Sequence, residues 1–227
     1  MHYNRDILKS AIEIQQIRPK ADLSIEQYLM TPESMFQQVT KLRQIFKNKK
    51  ILFLGDDDHM SALFAKYLDT VPSVVEYDPR VRNSLNNLYR NWGINKAEIR
   101  KYDARHPLPK IVRADAFYIN PPYSSKNEGK GAKVWISRVA TAVPVGSTSV
   151  LVYPIDENLP WTLTCLHNVI EYAYSCGFMI TAIDRDVHTY GYLPKDPGLL
   201  SSNIFLYKFE NSSPTEIIEL DNDSLYR

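Results

Sequence analysis

The sequence predicts an α/β chain with a doubly wound, mostly parallel sheet and a C-terminal antiparallel hairpin. Two observations carry this. Short apolar strands alternate with apolar runs at helical spacing along most of the chain, and the last two strands follow one another with no helix between them. The first two strands each run into acidic residues, at Asp56–Asp58 and at Glu76 and Asp78, in place of a glycine-rich turn.

In chain order, Ile7, Ala11, Ile14 and Ile17 recur at helical spacing and predict an amphipathic helix ending before Pro19. Its apolar stripe can pack on the domain or on a second subunit, so a homodimer is one expectation. Thr31-Pro32-Glu33 is a helix start, with a capping hydroxyl, a proline suited to the first turn and an acid at the positive helix end. Met35, Val39, Leu42 and Phe46 continue that helix, and Lys47–Lys50 reads as its solvated end. Lys50–Leu54 is a buried strand closed by Gly55, and a helix through Met60, Leu63, Phe64, Tyr67 and Leu68 follows.

Ser73–Asp78 is the second strand, ending in acids. Pro79 opens a helix through Val81, Leu85, Leu88 and Tyr89, with Gly93 as its cap. Strands are predicted at Glu98–Asp103, Ala114–Asn120 and Thr148–Tyr153, and a helix at Trp161–Tyr174 closed by Gly177. Phe178–Ile183 and Asn203–Phe209 make the terminal hairpin. Residues 124–138, with Lys126, Lys130, Lys133 and Arg138, read as a mobile basic loop entering a helix. The expected organisation is a helical lead (1–48), a Rossmann-like domain (49–210) and an acidic flexible tail (211–227).

Bulk properties narrow the function. The 227 residues are 44% hydrophobic and carry a formal net charge of +1, so no global field recruits nucleic acid or a membrane. The longest apolar runs are too short for a membrane span. Cys165 and Cys176 make no metal-ligand spacing, and the sequence opens without a signal peptide. Buried free thiols in a reducing cytoplasm are the expectation, and no metal is called for.

The acidic strand ends carry the chemistry. Ligands of open α/β sheets bind above the carboxyl ends of the strands. Gly55-Asp56-Asp57-Asp58 puts carboxylates where a dinucleotide turn has glycines, so the ligand is expected to be cationic there. Glu76, and after it Asp78, lie about 20 residues further on, where such folds hold ribose hydroxyls. Either acid could instead cap the helix that Pro79 opens. Asp103, ending the third strand, is placed to meet the ligand's base. His59 is expected on the surface at a helix start, and His188 has no evident partner. With the acidic second-strand end, the alternation becomes the layout of class I methyltransferase-like folds.

Asn120-Pro121-Pro122-Tyr123 closes the fourth strand. Two prolines lock a rigid turn and remove donors, so carbonyls point outward. The Asn120 carboxamide and the Pro121 carbonyl can accept bonds from an amine, while Tyr123 offers a ring face. The tetrapeptide resembles the Asn/Asp-Pro-Pro-Tyr motif of amino-methyltransferases acting on adenine, cytosine or glutamine nitrogens.

Taken together, Thr31-Pro32-Glu33, Leu54-Gly55-Asp56-Asp57-Asp58, Glu76-Tyr77-Asp78, Tyr102-Asp103, Asn120-Pro121-Pro122 and Tyr190-Gly191-Tyr192 resemble the catalytic domain of the bis-aminopropyl spermidine synthases. The resemblance runs from about residue 28 to 209. It implies aminopropyl transfer from decarboxylated S-adenosylmethionine to a polyamine, with the catalytic acid in the glycine–acid turn. Two departures stand out. The family's amino-terminal winged-helix-like domain has no counterpart in this sequence. The family's Asp-Pro-Pro-acid turn reads Asn120 to Tyr123 here.

The charge argument agrees with the resemblance. The decarboxylated donor carries a sulfonium and an ammonium, and a polyamine several ammonium groups, whereas S-adenosylmethionine brings a carboxylate that the acids oppose. The expected roles follow. Asp57 or Asp58 is base or cation holder, Gly55, Asp56, Glu76, Asp78 and Asp103 form the donor site, and Asn120 with Tyr123 orients the acceptor nitrogen. Pro121, Pro122, Tyr190 and Tyr192 flank the acceptor. The alternative is an S-adenosylmethionine-dependent N-methyltransferase for an exocyclic amine of a nucleic acid or nucleotide, with the basic loop on phosphates. A third reading is a binding module without catalysis.

Overall fold

The computed structural model describes residues 2–25, 27–123, 128–191 and 198–212. Its elements are α1 (His2–Ile17), α2 (Pro32–Phe46), β1 (Lys50–Leu54), α3 (Met60–Leu68), β2 (Val71–Glu76), α4 (Pro79–Trp92), β3 (Glu98–Lys101), β4 (Ala116–Ile119), α5 (Lys130–Ala140), β5 (Thr148–Pro154), α6 (Pro160–Ser175), β6 (Phe178–His188) and β7 (Ser201–Lys208). The strands form one sheet in the order β3-β2-β1-β4-β5-β7-β6. The first five are parallel, and β7 pairs antiparallel with both β5 and β6. The doubly wound sheet with its terminal hairpin is the predicted architecture.

Strand alternation divides the core. On β1, Leu52 and Leu54 face one layer, with α5 and α6, while Ile51 and Phe53 face the other, with α1–α4. Phe46, Phe53, Phe64 and Tyr118 interlock in the second layer, with Phe64 and Tyr118 edge to face at 5.4 Å and 78°. Ile7, Ala11 and Ile14 of α1 are fully buried in that layer, so the lead helix packs on its own chain. Thr31 caps α2 by accepting the Ser34 N–H, and Pro32 occupies the first turn, as the sequence predicts.

Several boundaries differ from expectation. The third strand stops at Lys101, before Asp103, and the hairpin strand β6 runs to His188. The supposed basic loop is already helix α5 from Lys130, and Arg138 is buried in it. Its guanidinium donates to the Ala104 and Arg105 carbonyls, bracing the irregular segment that links β3 to β4. That bonding needs a helix facing a strand-to-strand connection, which charge alone does not reveal. Lys126, Tyr192 and residues 213–227 of the tail lie outside the described residues. No helix among the described residues is long and apolar enough to cross a membrane.

Candidate active site

The site grows from the end of β1. Gly55 turns the chain at φ +72°, and its N–H still donates to the Val75 carbonyl of β2 at 2.9 Å. A Cβ there would stand 4.0 Å from Glu76 Oε2, so the turn and the end of β2 lie side by side. Glu76 fastens both: its Oε2 accepts the Asp56 N–H at 3.0 Å and its Oε1 the Asp78 N–H at 2.7 Å. Burial raises its proton affinity, and these two amide bonds pull it partly back.

The three aspartates of the turn have three separate environments. Asp56 points down to α3, accepting the Ser61 N–H at 3.3 Å and the Ser61 hydroxyl, which also meets the Tyr89 hydroxyl. It is a structural brace, and burial holds its carboxyl well above the usual range. Asp58 is buried against Arg18, with Nη1 to Oδ1 at 2.8 Å, and the same oxygen accepts the Met30 N–H at 2.7 Å. Burial raises the proton affinity of Asp58 overall, although Arg18, the Met30 amide and the Asn120 carboxamide pull it partly back. Asp57 alone faces the cleft. Burial, the neighbouring Asp58 and Glu76 push it well above the ordinary carboxylate range.

That cleft is small, with a cavity volume of about 80 Å³, and is open to solvent. Its polar wall is Gln27, Asp57, Glu76, Asp78 and Asn120. Leu54, Pro122, Trp135 and Ile25 supply the apolar wall, with Gly55 beneath and Tyr77 at the rim. Trp135 of α5 is anchored by donating its ring N–H to the Leu54 carbonyl at 3.0 Å. Asp78 lines the cleft and also caps α4, accepting the Arg80 N–H at 2.8 Å. Burial acts upward on it, but the Arg80 side-chain and backbone bonds outweigh that and hold it below the usual range. Asn120 Oδ1 is buried with no hydrogen-bond partner among the described residues, a free acceptor in the cleft wall.

Other sequence-chosen residues fall elsewhere. Asp103 is not among the residues lining the cleft, and its carboxylate is clamped by Arg105, whose side-chain hydrogen bonds lower it. Tyr123 is buried, stacked on Tyr28 at 6.1 Å and 29° and met edge-on by Tyr153. Tyr190 donates to the Ser201 hydroxyl at 2.8 Å, behind the turn. Arg18, Ile25, Gln27 and Trp135 were not chosen. Arg18 sits among the charges at the end of the lead helix, Ile25 and Gln27 come from the stretch before Thr31-Pro32, which carries no periodicity or motif of its own, and Trp135 reads simply as an apolar position of a helix.

Two histidines depart from expectation. His59 is fully buried, with Nε2 2.8 Å from the Ser84 hydroxyl, because its φ of +58° turns the ring under the helix start. His188 is buried against Met30 and Asn203. Burial lowers both to about 4 from 6.5. Groups depressed in the fold are protonated more readily when unfolded, so each removes stability as pH falls from 6.5 towards 4. The slope is about 1.4 kcal/mol per pH unit for each. The raised carboxyls of Asp56 and Glu76 act in the opposite sense. His188→Asn should therefore flatten the acid side of a urea-midpoint profile between pH 6.5 and 4. An unchanged slope would contradict this.

Fold and strand-end acids together place the molecule in the class I methyltransferase-like fold, in a version whose first turn is acidic. Residues 6–196 match the family model described as the branched-chain polyamine synthase A C-terminal domain, and the chain belongs to that family. It is 30% identical over 122 residues to the N(4)-bis(aminopropyl)spermidine synthase of Thermococcus kodakarensis, covering 52% of this chain and 35% of that protein. The chain thus spans about a third of the length of this curated relative. In fold it is similar to the branched-chain polyamine synthase of Thermus thermophilus, solved with N4-aminopropylspermidine and 5'-methylthioadenosine. The TM-score is 0.75 at 22% identity, over 96% of this chain and 69% of that one. A crystal structure of a putative RNA methyltransferase from Pyrococcus horikoshii aligns with TM-score 0.68 at 14% identity, over 92% of this chain and all of the other.

Proposed function

We propose that this chain transfers an aminopropyl group from decarboxylated S-adenosylmethionine to a secondary amine of a polyamine. One observation carries the reading: Asp57, Glu76 and Asp78 converge on a single cleft, and no lysine or arginine is among its lining residues that the structure describes. Asp78 is ion-paired with Arg80, but Asp57 and Glu76 make no ion pair among the described residues and favour a ligand that brings the positive charge. Membership of the polyamine synthase family supports the same ligand chemistry.

The residues divide the work as follows. Glu76, fixed by two amides, presents its remaining lone pairs to the ribose hydroxyls, and Trp135 and Ile25 offer apolar cover for the base. Asn120 Oδ1 accepts a hydrogen bond from the acceptor amine and aims its lone pair. Asp57 takes the proton that the amine must lose to become a nucleophile, and its raised proton affinity suits that exchange. The amine nitrogen then forms the new C–N bond as the C–S bond breaks. The products are a tertiary amine, 5'-methylthioadenosine and a proton.

The methyltransferase reading is disfavoured by two contacts. The Tyr123 ring is already stacked on Tyr28, and Arg138 is spent on backbone carbonyls, so neither is arranged for a flipped base or a phosphate. Calorimetry at neutral pH separates the donors. The decarboxylated donor is expected to bind at least about tenfold tighter than S-adenosylmethionine, with the preference shrinking in Asp57→Asn. Tighter binding of the carboxylated donor would sink the reading, and binding of neither would point to the non-catalytic module.

A further inference from the structure

We propose that Arg18, delivered by the end of α1, is the positioning residue that divides labour within the acidic turn: it ties up Asp58 in a buried ion pair and leaves Asp57 to exchange the acceptor's proton. The geometry is specific. Arg18 is buried, its N–H continues the helix by donating to the Ile14 carbonyl, and its guanidinium spans Asp58 and the Met30 carbonyl, at 2.8 and 2.6 Å. Asp58 in turn holds the Met30 N–H, so the pair also clips the segment before α2 to the end of β1. Among the described residues this is the one ion pair with both side chains almost wholly buried, each 4% exposed. A pair so placed is costly to desolvate, and removing either partner would leave a buried charge uncompensated.

The titratable groups around the two carboxylates are few. Asp56 and His59 belong to the same turn, Glu76 to β2, Tyr118 to β4, and Tyr190 follows β6. Burial keeps both tyrosines protonated and His59 neutral at pH 7. Arg18 is thus the cation that acts on both carboxylates, directly on Asp58 and at longer range on Asp57. Without it, two adjacent anions beside Glu76 would share a proton, and neither would be reliably ionised to accept another.

The inference rests on the aminopropyl-transfer reading for its catalytic half, so its test has one arm that needs no reaction. With aspartate labelled at the carboxyl carbon, NMR titration of the whole chain should show Asp58 ionising at lower pH than Asp57. In Arg18→Gln the Asp58 transition should rise by about one pH unit or more. In the reaction arm, the acid limb of kcat/KM should move up by a similar amount in Arg18→Gln and stay near the wild-type position in Arg18→Lys. Should Arg18→Gln fail to fold, the Arg18→Met/Asp58→Asn double variant removes both charges together. Its acid limb should lie within about half a unit of wild type. A fall in rate at every pH with the limb unmoved would reduce Arg18 to a structural brace, as would Asp58 titrating at or above Asp57. Absence of aminopropyl transfer by the wild-type chain would overturn the functional reading instead, with the NMR arm still deciding the role of Arg18.

Discussion

Replacing Asp57 by Asn is expected to slow aminopropyl transfer by about 10²–10⁴-fold, the range over which a positioned general base contributes. Of the three carboxylates in the turn, Asp57 is the one on the cleft surface, while Asp56 braces Ser61 and Asp58 is bound to Arg18 and Met30. Asn preserves shape and removes the proton acceptor, so the effect should fall on kcat with little disturbance of the fold. Its raised proton affinity also fixes the sign of the pH dependence. The base works only when ionised, so wild-type kcat/KM should fall as pH is lowered, and this acid limb should lie above the ordinary carboxylate range. Steady-state kinetics of the wild type and of Asp57→Asn across pH 5–9, a range of about four units, would check both points. A loss below tenfold, with Asp58→Asn far more damaging, would transfer the proton to Asp58.

The contrast between these neighbours shows where sequence reading reaches its limit. Leu54-Gly55-Asp56-Asp57-Asp58 announced a strand and an acidic turn, because apolar runs and charges are local properties. Which aspartate meets the ligand is not local. It depends on Ser61 in the first turn of α3, on Arg18 some forty residues upstream and on the N–H of Met30. Glu76 was legible from its place at the end of β2. Asp103 was misplaced because Arg105, two residues on, folds back to claim it, and short charged pairs of that kind have many geometries. Gln27 and Ile25 reach the cleft from a segment with no periodicity, positioned by the helices on either side of it. The acids at the ends of β1 and β2 were therefore readable, while Asp103 and the groups that tune and cover the cleft were not.

Glu76→Gln should weaken binding of 5'-methylthioadenosine by about 100-fold. This probe carries the ribose without the sulfonium, so any loss reports hydroxyl recognition separately from net charge. Hydrogen bonds to a charged partner contribute about 1.5–3 kcal/mol each, and two ribose hydroxyls bound to one carboxylate would supply that factor. The substitution also puts an amide NH₂ against either the Asp56 N–H or the Asp78 N–H, both of which now donate to Glu76. One of these buried amides loses its acceptor, at a cost of about 1–3 kcal/mol in folding stability. Calorimetric titration and urea unfolding measure the two losses separately. There is a third consequence with an opposite sign to that of Arg18. Glu76 raises the proton affinity of Asp57, so neutralising it should lower the acid limb of kcat/KM where Arg18→Gln raises it. Equal affinity for 5'-methylthioadenosine in the variant would remove Glu76 from ribose recognition. An acid limb moving upward would place the titrating group elsewhere than Asp57.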